Sequence, residues 1–161
     1  MEDVRWLTPQ QLAAWTRFVA VVELLPGALD SQLQRDAELT HFEYFTLAML
    51  SEAPERTLRM TALASATNST LPRLSHVVSR LEKRGFVERM PCPEDRRATN
   101  ARLTETGWEK VVATAPGHVQ TVRENVVDVL NARDISDLER VMGKLLTTLD
   151  PDDRFGSNRA S

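Results

Sequence analysis

Arg73, His76 and Arg80 recur at three- and four-residue steps, and Asp95, Arg96 and Arg97 follow within the charged stretch CPEDRRATNARLTETG (92–107). Side chains three and four residues apart share one helix face, so the first set would present two guanidinium groups and an imidazole together. Arginine carries a planar fork of donors that fits guanine edges and phosphate, while histidine gives or takes one bond. This makes Arg73 the first choice for base reading. Just ahead, Asn68, Ser69 and Thr70 place short polar side chains at a helix start, where free N–H groups favour anions. The chemistry on offer is recognition of a polyanion, not turnover. No glycine-rich phosphate loop, nucleophile elbow or H-E-x-x-H occurs, and His41, His76 and His118 lack metal-ligand spacing. Neither an enzyme nor a metal or cofactor site is expected.

A chain of 161 residues with net charge −3 would by itself be a poor partner for a polyanion. The charge is unevenly spread, however. Residues 56–102 hold ten basic and four acidic side chains, a local +6 that leaves −9 on the flanks. Such asymmetry suggests one anion-facing lobe. The N-terminus lacks a signal peptide's basic start and apolar stretch, no apolar run approaches the roughly 18 residues of a membrane span, and the lone Cys92 cannot form an internal disulfide. A cytoplasmic protein without membrane contact is expected.

Thr8, Pro9 and Gln11 combine a cap, a first-turn proline and a capping-box glutamine. The helix they open carries Leu12, Trp15, Phe18, Val19, Val22 and Leu25, bends at Pro26-Gly27 and ends near Asp36. Thr40 and Glu43 start a second helix over 41–52. A short extended piece at 57–60 and a short helix over 61–66 lead to a turn at 67–69, whose Asn68 or Ser69 should cap a helix over 70–84. That helix buries Leu71, Leu74, Val78 and Leu81, turns Ser69, Thr70, Arg73, His76, Val77 and Arg80 outward, and stops at Gly85 in a left-handed conformation. Strands at 86–90 and 98–103 flank a loop at 91–97. Thr104 then caps a long helix with Trp108, Val111, Val112, Ala115, Val119, Val122, Val126 and Leu130 on its buried side and a bend at Pro116-Gly117. Residues 131–134 turn the chain into a last helix with Ile135, Leu138, Met142, Leu145 and Leu149 on one side.

The order helix, short helix, turn, helix and two-stranded hairpin is that of a winged helix-turn-helix. Leu74-Ser75-His76-Val77-Val78-Ser79-Arg80-Leu81-Glu82-Lys83-Arg84-Gly85-Phe86-Val87, followed by Asp95-Arg96-Arg97 and Leu103-Thr104-Glu105-Thr106-Gly107, resembles the recognition helix and wing of the MarR family of bacterial transcription regulators. The resemblance spans about residues 12–149. It implies a mainly α single domain (1–161) with a small β-wing: a winged lobe over 54–104, dimerisation helices over 8–36 and 105–149, and a disordered tail over 150–161. It also implies a homodimer on double-stranded DNA, acting as a repressor on a pseudo-palindromic operator. The terminal helices support the dimer independently, since they carry more apolar residues than one small lobe could cover. The family's wing arginine enters the minor groove, held by the aspartate two residues earlier. On that pattern Arg97 enters, Asp95 accepts from its guanidinium and Arg96 pairs with phosphate, although residue type alone leaves the two arginines interchangeable.

Family members also respond to small aromatic ligands between the dimer helices and the DNA lobe. The resemblance brings Trp15, Phe18, His41, Tyr44 and Phe45 to such a pocket, whereas aromatic spacing alone fits plain core equally well. Thiol-sensing relatives prompt a redox reading of Cys92, whose pKa would fall if Arg89, Arg96 and Arg97 stood close; oxidation there would need a partner from another molecule. The rival reading is a helical protein–protein interaction module whose hairpin meets an acidic partner. It accounts for the terminal helices and the basic centre, but not for small polar residues and arginines sharing one face beside a basic hairpin.

Overall fold

The computed structural model describes residues 4–156. The chain runs α1 (Pro9–Ala37), α2 (His41–Glu52), β1 (Thr57–Arg59), α3 (Met60–Ala66), α4 (Leu71–Lys83), β2 (Val87–Cys92), β3 (Asp95–Leu103), α5 (Glu105–Val122) and α6 (Ala132–Leu149), with one π turn at Arg123–Val127. Caps fix most starts. Thr8 and Thr40 close full capping boxes with Gln11 and Glu43, and Thr104 Oγ1 accepts from the Gly107 N–H. Both α1 and α5 continue through their prolines, Pro26 and Pro116, without a break in the helix.

The sheet has three antiparallel strands in the order β1-β3-β2, so the expected two-stranded hairpin gains a third member. Thr57–Arg59 pairs with Arg102–Asn100, which satisfies a backbone edge that two strands alone would leave open. The expected loop at 91–97 also shrinks. β2 reaches Cys92 and β3 begins at Asp95, with a register shift at Pro91/Cys92 that bends the ribbon. The wing arginines therefore stand at the start of a strand.

One core holds the lobe together. Leu33 from α1, Leu47 and Leu50 from α2, Leu63 from α3, and Leu74, Val78 and Leu81 from α4 meet Val87, Ala101 and Leu103 from the sheet and Val111 from α5. Burying each such leucine contributes about 1.5–3 kcal/mol. The core thus draws on the C-terminal part of α1 and on α2 as well as on 54–104. Several expectations fail locally. Leu71 and Val77 exchange places, Leu71 being exposed and Val77 buried, because Pro72 and Thr70 fix where the first turn starts. Val112 and Val119 are exposed on α5, and the turn at 131–134 is helix from Ala132, since Asn131 is itself the cap.

The arms contrast with the lobe. α6 has no buried residue, although Ile135, Leu138, Val141, Leu145 and Leu149 lie on it, and α1 exposes Leu12, Trp15, Val21, Val22 and Leu24. Only Arg17 and Glu23 carry charge between Leu12 and Leu29, so α1 is long and apolar enough to cross a membrane by length and composition. Counting uninterrupted runs had hidden this. The expected disordered tail is built back onto the lobe as far as residue 156, and its remainder, 157–161, lies outside the described residues. Asp150 is buried and accepts from Arg154 and from the Phe155 N–H, while the Phe155 ring stacks on Phe45. Burial alone would push the Asp150 carboxyl up, but those backbone N–H groups and the Arg154 guanidinium hold it below its usual range.

Candidate nucleic-acid interface

Thr70, not Asn68 or Ser69, caps α4. Its Oγ1 accepts from the Arg73 N–H at 3.4 Å, Ser69 Oγ donates to the Thr70 carbonyl, and Asn68 takes the left-handed bend, which asparagine tolerates. At about 100° per residue, the buried set Leu74, Val77, Val78 and Leu81 fixes the outward side as Pro72, His76 and Lys83, with the half-buried Ser79 at its edge. His76 stands in its middle.

Arg73 and Arg80 lie on the flank toward α2 and are engaged there. The Arg73 guanidinium sits 4.5 Å above the Phe42 ring, a cation–π contact. Arg80 bonds Glu43, a carboxylate only 4% exposed that also accepts from the Thr40 N–H. The two arginines therefore tie α4 to α2, and Arg80 cannot leave without stranding a buried charge. The opposite flank carries Ser75, Ser79 and Glu82, all facing Arg89 of β2. Sequence reasoning missed Ser79, Lys83 and Arg89; continuing the buried stripe around α4 would have found the first two.

The wing tip is open. Arg96 and Arg97 are exposed, and neither guanidinium has a partner among the described residues. Asp95 Oδ1 accepts from the backbone N–H of Arg97 at 3.0 Å. It shapes the turn rather than gripping the guanidinium, because a side chain two residues on in a turn offers its amide first. Cys92 is buried. Its thiol is held below the usual value by the Glu94 N–H, then by the Asp95 N–H and the Arg59 side chain, against burial. Arg59 takes the part expected of Arg89, Arg96 and Arg97.

Of the aromatic set, the structure joins His41, Tyr44 and Phe45 but not Trp15 and Phe18, which pair with each other on exposed α1 with ring centroids 6.2 Å apart. Helical rise of 1.5 Å per residue puts Trp15 roughly 20 Å from the α1 turn beside His41. His118 and Phe155 complete the cluster instead: His118 lies 4.7 Å from Tyr44 and 6.5 Å from His41. His41 Nδ1, His118 Nδ1 and Gln32 Oε1 are buried without hydrogen-bond partners among the described residues. Beside them a groove of about 750 Å³ opens between α1, α2 and α4, lined by Asp30, His41, Phe42, Arg73, His76 and Arg80 among others.

Burial pushes both imidazoles down, His118 further by its neighbour His41, with Asp30 opposing at His41. The unfolded chain therefore takes up protons near the ordinary value of 6.5 that the folded chain refuses. Stability should be complete above that value and be lost as pH falls through the lowered folded values. Urea midpoints at neutral pH and near pH 5 measure this: the decline should be smaller in His118→Gln, and equal declines would rule out the pair as its source.

A three-helix unit ending in α4, followed by a β-ribbon whose tip carries free arginines, defines a winged helix-turn-helix protein. The family model described as MarR family matches residues 39–99. Among solved structures, the chain is similar to Sco3205, a MarR family transcriptional regulator from Streptomyces coelicolor in complex with DNA, with 42% identity, a TM-score of 0.88 and coverage of 95% of this chain and 96% of that one. It is also similar to AbsC, a MarR family transcriptional regulator from the same organism, at 37% identity and a TM-score of 0.84, covering 91% and 98%. An HTH-type transcriptional regulator of Bacillus subtilis, YdcH, is 38% identical over 81 residues, which is 49% of this chain and 55% of YdcH. The chain thus matches about half the length of that curated relative. It belongs to the MarR family of transcriptional regulators.

Proposed function

We propose that this protein is a homodimeric, DNA-binding repressor, and that α4 enters the major groove while the wing tip reaches the adjacent minor groove. The observation that carries the reading is the pairing of an open α4 face, centred on His76 and Lys83, with two unpartnered arginines at the end of the neighbouring ribbon. Thr70, Asn68 and Ser69 lie at the α4 N-terminus, where phosphate is favoured. His76 is the base-reading candidate, with Arg73 as a flank contact and Arg80 kept on Glu43. A narrow minor groove concentrates negative potential and rewards Arg97, while Arg96 meets phosphate. The rival interaction-module reading offers no reason for this pairing. A cytoplasmic location follows from the target.

Selection of bound duplexes from a random library tests the reading. Enrichment of an inverted repeat with half-sites roughly 10 base pairs apart is expected, and no enrichment would refute it. The dimer is supported by the uncovered apolar sides of α1 and α6. Light scattering at micromolar concentration should give twice the 18.1 kDa chain mass; a persistent monomer would remove the two-lobed arrangement.

A small aromatic effector is a further part of the proposal. A phenolic hydroxyl both donates and accepts, so it suits the partnerless His41 and His118 nitrogens in either tautomer. A ligand in the adjoining groove would touch Arg73 and Arg80, the residues that tie α4 to α2. Calorimetry with salicylate-like compounds checks this, and absence of heat together with unchanged DNA affinity would exclude it.

A further inference from the structure

β2 leaves α4 through a short turn, and one of its residues reaches back along the helix. The Arg89 backbone N–H donates to Glu82 Oε1 at 3.0 Å, and its Nε and Nη2 donate to Oε2 at 3.1 and 2.9 Å. Nη2 also donates to Ser79 Oγ at 2.9 Å, and Nη1 lies 3.5 Å from Ser75 Oγ. Ser79 Oγ in turn donates to the Ser75 carbonyl. Ser75, Ser79 and Glu82 form a stripe along α4 just beside its outward face, so one side chain of the wing spans about two turns of the helix.

Arg89 pairs with Ala101 in the sheet, well inside the ribbon. From there β2 runs three more residues to Cys92, which pairs with Asp95 at the turn, roughly 10 Å at strand rise. A tilt of about 20° at Arg89 would therefore move the tip by roughly 3.5 Å, one base step along a strand. The guanidinium points inward and is only 31% exposed, so it is used up within the lobe.

We propose that Arg89 is a positioning residue for sequence selectivity: anchored on Glu82 and Ser79, it sets the wing's angle on α4 and hence the register between what α4 and the wing arginines touch on one duplex. The proposal rests on the DNA-binding reading above. It requires the planar fork, because a lysine ammonium on a flexible stem cannot hold Glu82 and Ser79 in one fixed geometry.

The test compares wild type, Arg89→Ala and Arg89→Lys, each checked for a cooperative melt. Operator and random duplexes of equal length are titrated across a salt series, and the distance between spin labels at positions 83 and 96 is measured without DNA. In Arg89→Ala the ratio of operator to random affinity should shrink by about tenfold or more. Random-duplex affinity and salt slope should hold within about threefold of wild type, and the label distances should broaden. Arg89→Lys should keep charge yet recover little selectivity. An unchanged ratio, unchanged label distances, or equal losses on both duplexes with a shallower salt slope would each overturn the proposal, the last by making Arg89 a phosphate contact. A wild-type protein that prefers no duplex would refute the DNA reading itself, and the label distances would still decide whether Arg89 holds the wing.

Discussion

Arg97→Ala is expected to weaken operator binding by roughly 5- to 150-fold, about 1–3 kcal/mol, and to reduce the salt slope by about one. The side chain is exposed at the start of β3 and has no partner within the lobe. Truncating it should therefore cost little folding stability, since surface changes of this kind stay within about 0.5 kcal/mol. Loss of binding with an unchanged melt separates a contact residue from a structural one. Arg96→Ala should lower affinity for operator and random duplex alike if it meets phosphate. Arg73→Ala is a useful contrast, because its guanidinium packs over Phe42 and part of its effect should appear as lost stability. Anisotropy titrations between 50 and 200 mM salt measure all three. Full affinity in Arg97→Ala would remove the wing from the interface.

Much of this arrangement was legible in local chemistry. Thr8, Thr40 and Thr104 announced helix starts that the structure realises as caps, and Gly85 takes φ +78°, the left-handed stop expected of it. The buried stripe Leu74, Val78 and Leu81 followed from spacing alone. What the sequence hid depends on partners far along the chain. The extended piece at 57–60 is expected, but not that β3 supplies the bonds that make Thr57–Arg59 a third strand. Arg80 has the type and step of a groove-reading residue, but Glu43, 37 positions earlier, claims it. His118 joins His41 and Tyr44 only once α5 packs across α2. The tail reads as polar and uncommitted, and Asp150 and Phe155 fix it only because the lobe offers somewhere to dock.

Cys92 shows the same limit from the other side. Its basic sequence neighbours suggested a thiol shifted by Arg89, Arg96 and Arg97. In the fold Arg89 is committed to Glu82, the tip arginines are exposed, and the bent ribbon brings backbone N–H groups and Arg59 to the sulfur. Proximity in sequence is a weak guide wherever a strand alternates its faces.

Gly107→Ala should be among the most damaging single-methyl changes in the chain, at roughly 3–5 kcal/mol. Helix propensity alone predicts the opposite sign, since alanine is favoured over glycine by about 1 kcal/mol inside a helix. The geometry overrules it. A Cβ on Gly107 would stand 2.1 Å from the Phe86 carbonyl oxygen and 2.7 Å from Leu103 Cδ1. That carbonyl cannot retreat freely, because it accepts from the Thr104 N–H at 3.0 Å. Thr104 Oγ1 meanwhile donates to the Gly85 carbonyl and accepts from the Gly107 N–H. Overpacking costs about 1–3 kcal/mol, and each hydrogen bond broken in making room adds about 1 kcal/mol. The close approach joins the end of α4, the root of the wing and the start of α5, which gives a physical reason for glycine at the close of the LTETG stretch. Because the shift falls at the wing root, operator affinity should drop further than the loss of folded protein accounts for. Urea denaturation at fixed protein concentration, paired with operator titration of the folded fraction, measures both. Stability within about 1 kcal/mol of wild type would mean that the Phe86 carbonyl yields without cost and that this close approach does not hold the wing root.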